Sequence, residues 1–541
     1  MYADLILLGN AIFDGIHDEP FEGGVAAGNG KIIFVGTKDE VLKFADSRTV
    51  IKEYNDNLIM PGLCDSHAHF AMGARFFGTE MCDLLVANSE EECVRIAKEF
   101  AEENKELEII QGAGWDMSYW GENPKEPTKE SLDREIPDRP VFLIASDGHS
   151  IWMNSKMLEI VKPEDFADEF EPEKIPRYDN GEFTGVLKED AAFPGYAVID
   201  KISEPHMEEY EKAFLRALTK AGITGFSDVS IIEPDDLASS YRLVKEMDNK
   251  NELNIRMYIY AGQGDWGCDR LKDVVAYNDF FNTDTLRIAG IKGVFDGVTS
   301  SYTALLTEPY ADRPDTCGVQ TVPYDKVEKY VIESNRLGYS VRIHCIGDLA
   351  VRYALDCYEA SNKVNDNSGL HNGIEHIEII TPQDIPRFAK LGVTASMQPG
   401  HQIMDKGGKL QRCGRQRSRY EWAFRSLKDA GAKIALGTDY NAMNYLPFPN
   451  IYYALTKRDM DGTQYGETSR GEILTLPEAL KAYTSEGAVL NGMENKVGIL
   501  KEGMYADIIV TDRNLFEIHE DDIKDTETIL TVFDGRIVYE A

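Results

Sequence analysis

The protein has 541 residues, of which 57 are basic and 93 are acidic, so its formal net charge at pH 7 is −36. Nucleic acids and anionic membrane surfaces repel a chain of this charge, and both are excluded as expected partners. Hydrophobic residues make up 43% of the chain, which is ample material for a large packed core. We expect a protein that acts on a small-molecule substrate, either alone or as a homo-oligomer such as a dimer.

The eight cysteines are scattered, with no CxxC pair, so neither a disulfide framework nor a cysteine-based structural zinc site is predicted. The amino-terminal sequence MYADLILLGNAIFDG lacks the basic region and the small-residue cleavage site of a signal peptide. No apolar run approaches the length of a transmembrane helix. These features predict a cytoplasmic protein.

Both ends of the chain consist of short apolar segments broken by glycine turns. Residues 1–60 contain ADLILLGNAIFDG and GGVAAGNGKIIFVG, and residues 495–541 contain ILTVFDGRIVYEA, all typical of strands. Their similar texture predicts that the two ends of the chain meet in one small sheet domain.

Residues 61–494 alternate apolar, β-rich runs with helical patterns, which is typical of βα units around a parallel sheet. Eight such runs with intervening helices predict a (β/α)8 barrel. The strand candidates are NLIMPGLCDSHAH and residues 222–230, 253–260, 288–297, 340–348, 373–380, 392–399 and 433–440.

Residues 71–203, between the first and second predicted strands, are far too long for a simple βα connection. This segment holds three of the five tryptophans and its own strand-like run, RPVFLIASDGH. We predict an inserted subdomain that covers the mouth of the barrel as a lid.

Histidine and aspartate residues stand at the ends of several predicted strands. His67 and His69 end the first strand, and because residues two apart on a strand point to the same side, both imidazoles can face one ion. His344, His376 and Asp439 end the fifth, sixth and eighth strands. The carboxyl ends of the strands form the active-site face of such a barrel, and imidazoles with a carboxylate suit a catalytic Zn²⁺-type ion. We therefore predict a divalent-metal site.

Lys292 lies inside the fourth predicted strand, in an otherwise apolar context. A buried lysine must be paired, neutralised or chemically modified. One interpretation is an ion pair with Asp296 or Glu378. The other is carboxylation by CO₂, which would turn the cation into an anionic group able to bridge two metal ions.

The chain resembles the amidohydrolase superfamily, in particular the amidohydrolase-3 group of YtcJ-like proteins and N-substituted formamide deformylase. The resemblance rests on motifs that follow one another over nearly the whole chain. They are PGLCDSHAHF, GWDMSYW, ASDGHSIWMNS, GEFTGVLKED, IKGVFDGVTSSYTALLTEPY, HCIGD, IEHIEII, SMQPGH, RYEWAFRSLKDAG, LGTDYNAMN and GILKEGMYADIIVTD.

The resemblance implies a TIM-type barrel spanning residues 61–494, a small β-sandwich built from both termini, and hydrolysis at a centre of one or two divalent ions, with zinc as the expected metal. Lys188 is a rival to Lys292, but it lies in the insertion. The implied metal ligands are His67, His69, His344, His376 and Asp439, with Lys292 as an N6-carboxylated bridge.

The implied reaction is cleavage of a carbon–nitrogen bond in a non-peptide amide or an N-substituted formamide by metal-bound hydroxide. Asp439 would accept the proton of the nucleophile and deliver it to the leaving nitrogen. The metal and His344 would stabilise the oxyanion. Strand eight reads GTDYNAM where relatives more often have GSD followed by a small residue and proline, so the rim of the substrate pocket is expected to differ.

Four residues outside this set are candidates for substrate binding. Trp115 and His149 lie in the insertion and either line the pocket or pack within the lid. His401 follows the seventh strand and contacts either the substrate or the metal ligands. Arg417 lies in a locally basic stretch, residues 406–425, and either binds an anionic substrate group or belongs to a solvated helix face.

Two rival functions stay open. The first is an aminohydrolase that deaminates an amidine or a heterocyclic amine with one metal ion on the same scaffold. The second is a metal-binding protein without catalytic activity. Release of ammonia would favour the first, and a metal-loaded protein that is inert towards a broad panel of amides, esters and amines would favour the second.

Overall fold

The computed structural model describes residues 2–541 apart from residues 118, 119, 122–124, 147, 149, 230, 231, 233–235, 264, 265, 405 and 406. The strands, in chain order, are β1 (Leu5–Ile12), β2 (Phe21–Gly28), β3 (Lys31–Gly36), β4 (Val50–Pro61), β5 (Leu63–Ala68), β6 (Met81–Asp83), β7 (Ile110–Trp115), β8 (Val141–Ala145), β9 (Ser150–Met153), β10 (Val186–Lys188), β11 (Ile223–Asp228), β12 (Arg256–Gln263), β13 (Leu286–Val294), β14 (Ser340–Cys345), β15 (Gly373–His376), β16 (Thr394–Met397), β17 (Ile434–Leu436), β18 (Ile508–Thr511), β19 (Thr528–Phe533) and β20 (Arg536–Glu540).

Helices occupy most of the connections between these strands. In chain order they are α1 (Lys38–Val41), α2 (Phe70–Gly78), α3 (Glu90–Glu103), α4 (Lys129–Glu135), α5 (Ser155–Val161), α6 (Phe193–Ser203), α7 (Met207–Lys220), α8 (Leu237–Ser240), α9 (Arg242–Asn249), α10 (Leu271–Ala276), α11 (Tyr324–Arg336), α12 (Asp348–Val364), α13 (Ile385–Leu391), α14 (His401–Met404), α15 (Gly408–Arg417), α16 (Phe424–Asp429), α17 (Pro447–Thr456), α18 (Leu476–Ala482) and α19 (Ser485–Leu490).

Eight parallel strands form one sheet in the order β17-β16-β15-β14-β13-β12-β11-β5, the succession of a (β/α)8 barrel. Each strand overlaps one of the eight runs that the sequence predicted. Hydrogen bonds also join the loop after β17 to β5: the Asp439 amide donates to the carbonyl of His67 (2.6 Å) and the Thr438 amide donates to the Asp65 carboxylate (3.0 Å). The carboxyl ends of β17 and β5 therefore lie side by side.

Strands from both ends of the chain share a seven-stranded sheet, β20-β19-β18-β4-β1-β2-β3. Residues along β1 alternate between two apolar clusters: Leu5 and Leu7 pack on one face of the sheet, whereas Ile6 and Leu8 pack on the other. This sheet and the barrel belong to one compact unit, Met1–Phe70 with Leu215–Ala541. The two-sheet sandwich form of this region stays a prediction.

The long segment after β5 forms a second compact unit, Ala71–Phe214, with a five-stranded sheet in the order β10-β9-β8-β7-β6. Its central strand β8 is fully buried and also alternates between two cores, Val141 and Leu143 on one face and Phe142 and Ile144 on the other. The unit thus has hydrophobic cores of its own on both faces of its sheet. Its role as a lid stays a prediction.

No helix among the described residues combines the length and the apolar character that crossing a membrane requires.

Candidate metal centre

Three histidines predicted from strand ends surround the carboxylate of Asp439, which follows β17. His67 Nε2 lies 3.4 Å and His69 Nε2 lies 3.0 Å from Asp439 Oδ1. On the other side, His376 Nδ1 lies 3.9 Å from Asp439 Oδ2. The fold therefore brings residues of the first barrel strand to residues of the sixth and eighth strands, which lie more than 300 positions further along the chain.

This cluster has the composition and the dimensions of a metal site. One donor atom each from His67, His376 and Asp439 lie within 4.8 Å of one another, and all three side chains are buried. His376 Nδ1 has no hydrogen-bond partner among the described residues. Buried polar atoms nearly always have a partner, and two imidazoles with a carboxylate are a typical donor set for a divalent ion. The residues present fit a divalent metal ion.

Unusual backbone conformations aim these side chains inward. His376 and Ile377, at the end of β15, have φ angles of 72° and 51°, and Asp439 has a φ of 56°. Left-handed conformations of this kind are costly for residues with side chains and occur most often at functional sites. Gly437 contributes differently, because a Cβ atom there would overlap the backbone nitrogen of His67.

Asp65, which the sequence analysis did not single out, ties the first strand to the eighth. Its carboxylate accepts hydrogen bonds from the His67 amide (3.1 Å) and from the Thr438 amide (3.0 Å) and hydroxyl (2.6 Å). Burial raises the pKa of Asp65 to about 6, although these hydrogen bonds act in the opposite direction. The aspartate that precedes the HxH pair thus holds both ligand-bearing segments together.

A buried ion pair supports His67 from behind. The Glu375 carboxylate accepts a hydrogen bond from His67 Nδ1 through one oxygen, and Arg342 Nε donates to its other oxygen at 2.5 Å. Arg342 also donates to the carbonyl of Ser66 (2.6 Å). Burial alone would raise the pKa of Glu375, but Arg342 and His67 hold it far below its usual value. The carboxylate is ionised, so His67 Nδ1 carries the proton and Nε2 is left as a donor for a metal.

His344 lies beside His376. Its ring centroid is 4.4 Å from that of His376. His344 Nε2 lies 3.5 Å from the carbonyl oxygen of Gly297, which can only accept, so Nδ1 is the nitrogen available to a metal. Burial, reinforced by the Lys292 ammonium, lowers the pKa of His344 to about 3, so the imidazole is neutral, as a ligand must be.

Lys292 faces the same region from β13, where it pairs in register with Arg342 of β14. Both carboxylates proposed as ion-pair partners are engaged elsewhere: Asp296 accepts three backbone amides, and Glu378 pairs with Lys409 at 2.5 Å. No ion pair of Lys292 occurs within the described part of the chain. Burial lowers the pKa of Lys292 to about 8, so a neutral amine is accessible near neutral pH.

His401 is part of the cluster rather than a distant substrate-binding residue. Its Nε2 lies 3.3 Å from Asp439 Oδ2, and its Nδ1 lies 3.6 Å from Glu378 Oε1. Burial alone would lower its pKa, but hydrogen bonds to Asp439 and Glu378 raise the pKa of His401 to about 9. This geometry favours the contact with metal ligands, the second of the two roles that the sequence left open.

Two other predicted substrate-binding residues, Trp115 and Arg417, have contacts of their own. Trp115 is buried in the insertion, where its indole nitrogen donates to the Leu143 carbonyl (3.1 Å) and its ring packs against Trp152. The Arg417 guanidinium donates to three backbone carbonyls, those of Glu308 (2.6 Å), Pro309 (2.7 Å) and Cys413 (2.8 Å). His149 lies outside the described residues. Substrate binding by these side chains stays a prediction.

The sequence contained a signal for the residues that it did not single out. Glu375 and Glu378 flank His376 in the motif IEHIEII, and Glu375 and Arg342 are charged residues within predicted barrel strands. Ionised side chains are almost never fully buried unless they are paired. Their occurrence inside strands could therefore have indicated buried ion pairs near the site.

A (β/α)8 barrel with histidines and an aspartate clustered at the carboxyl ends of its strands defines a metal-dependent hydrolase. The chain belongs to the amidohydrolase family (Amidohydro_3), which it matches over residues 55–539. It is therefore a hydrolytic enzyme that acts on carbon–nitrogen bonds other than peptide bonds.

Individual relatives agree with this assignment along nearly the whole chain. Protein LONG AFTER FAR-RED 3 of Arabidopsis thaliana is 28% identical over 99% of this chain and 92% of its own length. Putative amidohydrolase YtcJ of Bacillus subtilis is 26% identical over 92% of both chains. N-substituted formamide deformylase of Arthrobacter pascens is 23% identical over 95% of this chain and 94% of its own.

The fold is also similar to solved structures. An uncharacterized metal-dependent hydrolase from Pyrococcus horikoshii OT3 superposes with a TM-score of 0.76 and 25% identity, covering 95% of this chain and 99% of its own. The resemblance to the amidohydrolase-3 group, with its YtcJ-like and deformylase members, is confirmed.

Proposed function

We propose that this enzyme hydrolyses the carbon–nitrogen bond of a small non-peptide amide, with an N-substituted formamide as the leading substrate class, at a zinc centre. The observation that carries the proposal is the buried cluster in which His67, His69, His376 and His401 converge on Asp439. The similarity to an N-substituted formamide deformylase over nearly the full length of both chains supports the choice of substrate class.

The ligand set would consist of His67, His69, His376 and Asp439, with His344 and Lys292 completing it. A divalent ion held there supplies a water of lowered pKa and polarises the carbonyl oxygen of the substrate. His67 contributes Nε2 and His344 contributes Nδ1, because the other nitrogen of each ring is committed to a hydrogen bond. The neutral state of these imidazoles suits this role.

Asp439 is placed to move the proton of the reaction. Burial alone would raise its pKa, but His67 and the hydrogen bonds from His401 and His69 hold the pKa of Asp439 well below its usual range, so the carboxylate is ionised. It can accept the proton of the attacking water and deliver it to the leaving nitrogen. Without that proton the nitrogen would leave as a strongly basic anion, which is a poor leaving group. His344 would help to stabilise the developing oxyanion through the metal ion that it holds, because its Nε2 donates to the Gly297 carbonyl and its Nδ1 is the nitrogen assigned to the metal.

Lys292 is the proposed site of carboxylation. The neutral amine would attack CO₂, forming an N–C bond and releasing one proton, and the resulting carbamate would present two oxygens as ligands. The burial of Lys292, its lowered pKa and the engagement of Asp296 and Glu378 elsewhere support this modification. Incubating the metal-loaded protein with ¹³C-bicarbonate should give a carbamate resonance that is absent from Lys292→Met.

The test of the proposed function combines metal content with product analysis. Purified protein should contain at least one equivalent of zinc by plasma mass spectrometry and should release formate from N-substituted formamides. Chelation should abolish turnover, and zinc should restore it. Asp439→Asn should be inactive, whereas the matched control Asp461→Asn, which changes an exposed carboxylate, should retain full activity. Release of ammonia from amidines or heterocyclic amines would instead assign an aminohydrolase, and an inert metal-loaded protein would contradict both.

A further inference from the structure

The segment Glu375-His376-Ile377-Glu378 carries a glutamate on each side of the proposed ligand His376. Left-handed φ angles at His376 (72°) and Ile377 (51°) turn the chain between them. A helix or a regular strand would send the two glutamates along a single face or along opposite faces. Here the turn sends each carboxylate to a different histidine.

Two series of contacting side chains, called arms below, lead through these glutamates to Asp439. The first arm runs from Arg342 through Glu375 to His67. Arg342 Nε donates to Glu375 Oε1 at 2.5 Å, and Glu375 Oε2 accepts from His67 Nδ1. All three side chains are about 1% exposed or less. At the far end of the imidazole, His67 Nε2 lies 3.4 Å from Asp439 Oδ1.

The second arm repeats this order with other residues. Lys409 Nζ lies 2.5 Å from Glu378 Oε2, and Glu378 Oε1 lies 3.6 Å from His401 Nδ1. At the far end of this imidazole, Nε2 lies 3.3 Å from Asp439 Oδ2. Each arm thus consists of a buried cation, a glutamate and a histidine, and the two arms end on opposite oxygens of one carboxylate.

The chemistry of the arms sets the orientation of both rings. An ionised carboxylate only accepts hydrogen bonds, so the nitrogen facing each glutamate carries a proton. The nitrogen facing Asp439 is then fixed at the other end of the ring. Outer carboxylates of this kind fix the ring orientation of metal-binding histidines and commonly change metal affinity 10- to 100-fold when they are removed.

We propose that Glu375 and Glu378 are positioning residues that hold His67 and His401 against the two oxygens of Asp439, with Arg342 and Lys409 neutralising their charges. Glu375 acts on a metal ligand directly, whereas Glu378 acts through His401 on the orientation of Asp439. Removing Glu375 is therefore expected to weaken metal binding more than removing Glu378. The proposal rests on the metal centre of the proposed function but not on the identity of the substrate.

The experiment compares Zn²⁺ affinity, measured by competition with a chromophoric chelator, in the full-length parent and in Glu375→Gln, Glu375→Asp and Glu378→Gln. We expect a 10- to 100-fold loss for Glu375→Gln, a partial recovery for Glu375→Asp and a loss of about three- to tenfold for Glu378→Gln. The melting temperature of each metal-free variant separates weakened binding from weakened folding. Glu421→Gln, which removes the charge of another buried glutamate, bound to Ser469, is the matched control and should keep parental affinity.

A second readout follows the imidazoles themselves. In metal-free protein labelled with ¹⁵N-histidine, the Nδ1–H proton of His67 should give a far-downfield resonance that Glu375→Gln removes and Glu421→Gln preserves. Parental Zn²⁺ affinity in Glu375→Gln, or losses that merely follow the melting temperatures, would overturn the proposal. A parent that binds Zn²⁺ tightly but hydrolyses no amide would contradict the proposed function while leaving this comparison decisive.

Discussion

Two clusters of buried charged residues lie at opposite ends of the barrel. They differ in whether all of their polar groups have hydrogen-bond partners. At the amino end of β12, Arg256 donates to both oxygens of Asp507 (2.7 and 3.1 Å) and to Asp534, and it stacks over Tyr505 at 4.0 Å. At the carboxyl end of the strands, His376 Nδ1 faces Asp439 Oδ2 at 3.9 Å without a hydrogen bond in the described part of the chain. Since both regions are largely buried, burial alone does not mark a functional site.

The difference teaches that a structural charge cluster satisfies its own groups, whereas a site built for a ligand does not. The Arg256 cluster joins β12 to the terminal sheet, because Asp507 precedes β18 and Asp534 follows β19. The role of this cluster is therefore structural. His376 Nδ1, beside Asp439, has no hydrogen-bond partner among the described residues and is available to a further group.

The largest expected effect on activity comes from removing the charge of Asp439, at the centre of the histidine cluster. Asp439→Asn should lower kcat/KM by about 10³-fold or more, because both a metal ligand and the proton acceptor are lost. The fold should survive, since the amide keeps the shape of the carboxylate. Steady-state kinetics together with circular dichroism would check this, and a loss below tenfold would show that another group moves the proton.

A substitution in the Arg256 cluster should lower the stability of the protein and leave its catalytic rate unchanged. Arg256→Met leaves Asp507 buried without its cation and removes the ion-pair partner of Asp534, so unfolding should become easier by about 3–5 kcal/mol. The kcat of the folded fraction should be unchanged. Urea denaturation would measure the first quantity, with the exposed Arg536→Met as control. A large fall in kcat without a loss of stability would contradict the separation of the two clusters.

A third buried charged residue, Lys457, has hydrogen-bond partners and should make the stability of the protein depend on pH. Its ammonium donates to the Glu421 carbonyl and to Ser469 (both 2.9 Å), yet burial lowers the pKa of Lys457 to about 8 from its usual 10.5. Between these values the unfolded chain binds more protons than the folded one, so this group makes stability rise with pH, by up to about 1.4 kcal/mol per unit.

The measurement is the difference in unfolding free energy between the parent and Lys457→Met from pH 7 to 10.5. The difference should be nearly constant below pH 8 and should shift in favour of the parent above it. A flat difference over the whole range would mean that Lys457 keeps its proton in the folded state.

The smallest effect is expected at Arg417, whose guanidinium already donates to three backbone carbonyls. Arg417→Ala should lower kcat/KM by no more than about twofold, and equally for matched anionic and neutral amides. A selective loss on the anionic substrate would restore the interpretation that Arg417 binds a substrate carboxylate.

Much of the fold and part of the site followed from local patterns. All eight barrel strands were recognisable as short apolar runs, and the HxH pair, His344, His376 and Asp439 stood at strand ends where parallel topology must bring side chains together. The arms behind them were not predicted, because Glu375 meets His67 across 308 positions and Glu378 meets Lys409 across a separate loop. Pairing of this kind depends on which face each residue takes after the left-handed turn at His376.

The sequence by itself determined the class of this protein: a βα succession, metal-binding residue types at strand ends and the motifs of the amidohydrolase family. Periodicity and residue chemistry are local properties, so they can be read without coordinates. Only the tertiary structure decided which ring nitrogen faces Asp439, that His401 joins the cluster, and that Asp296 and Glu378 are not partners of Lys292. These outcomes depend on distances between segments far apart in the chain, and those distances exist only once the barrel has closed.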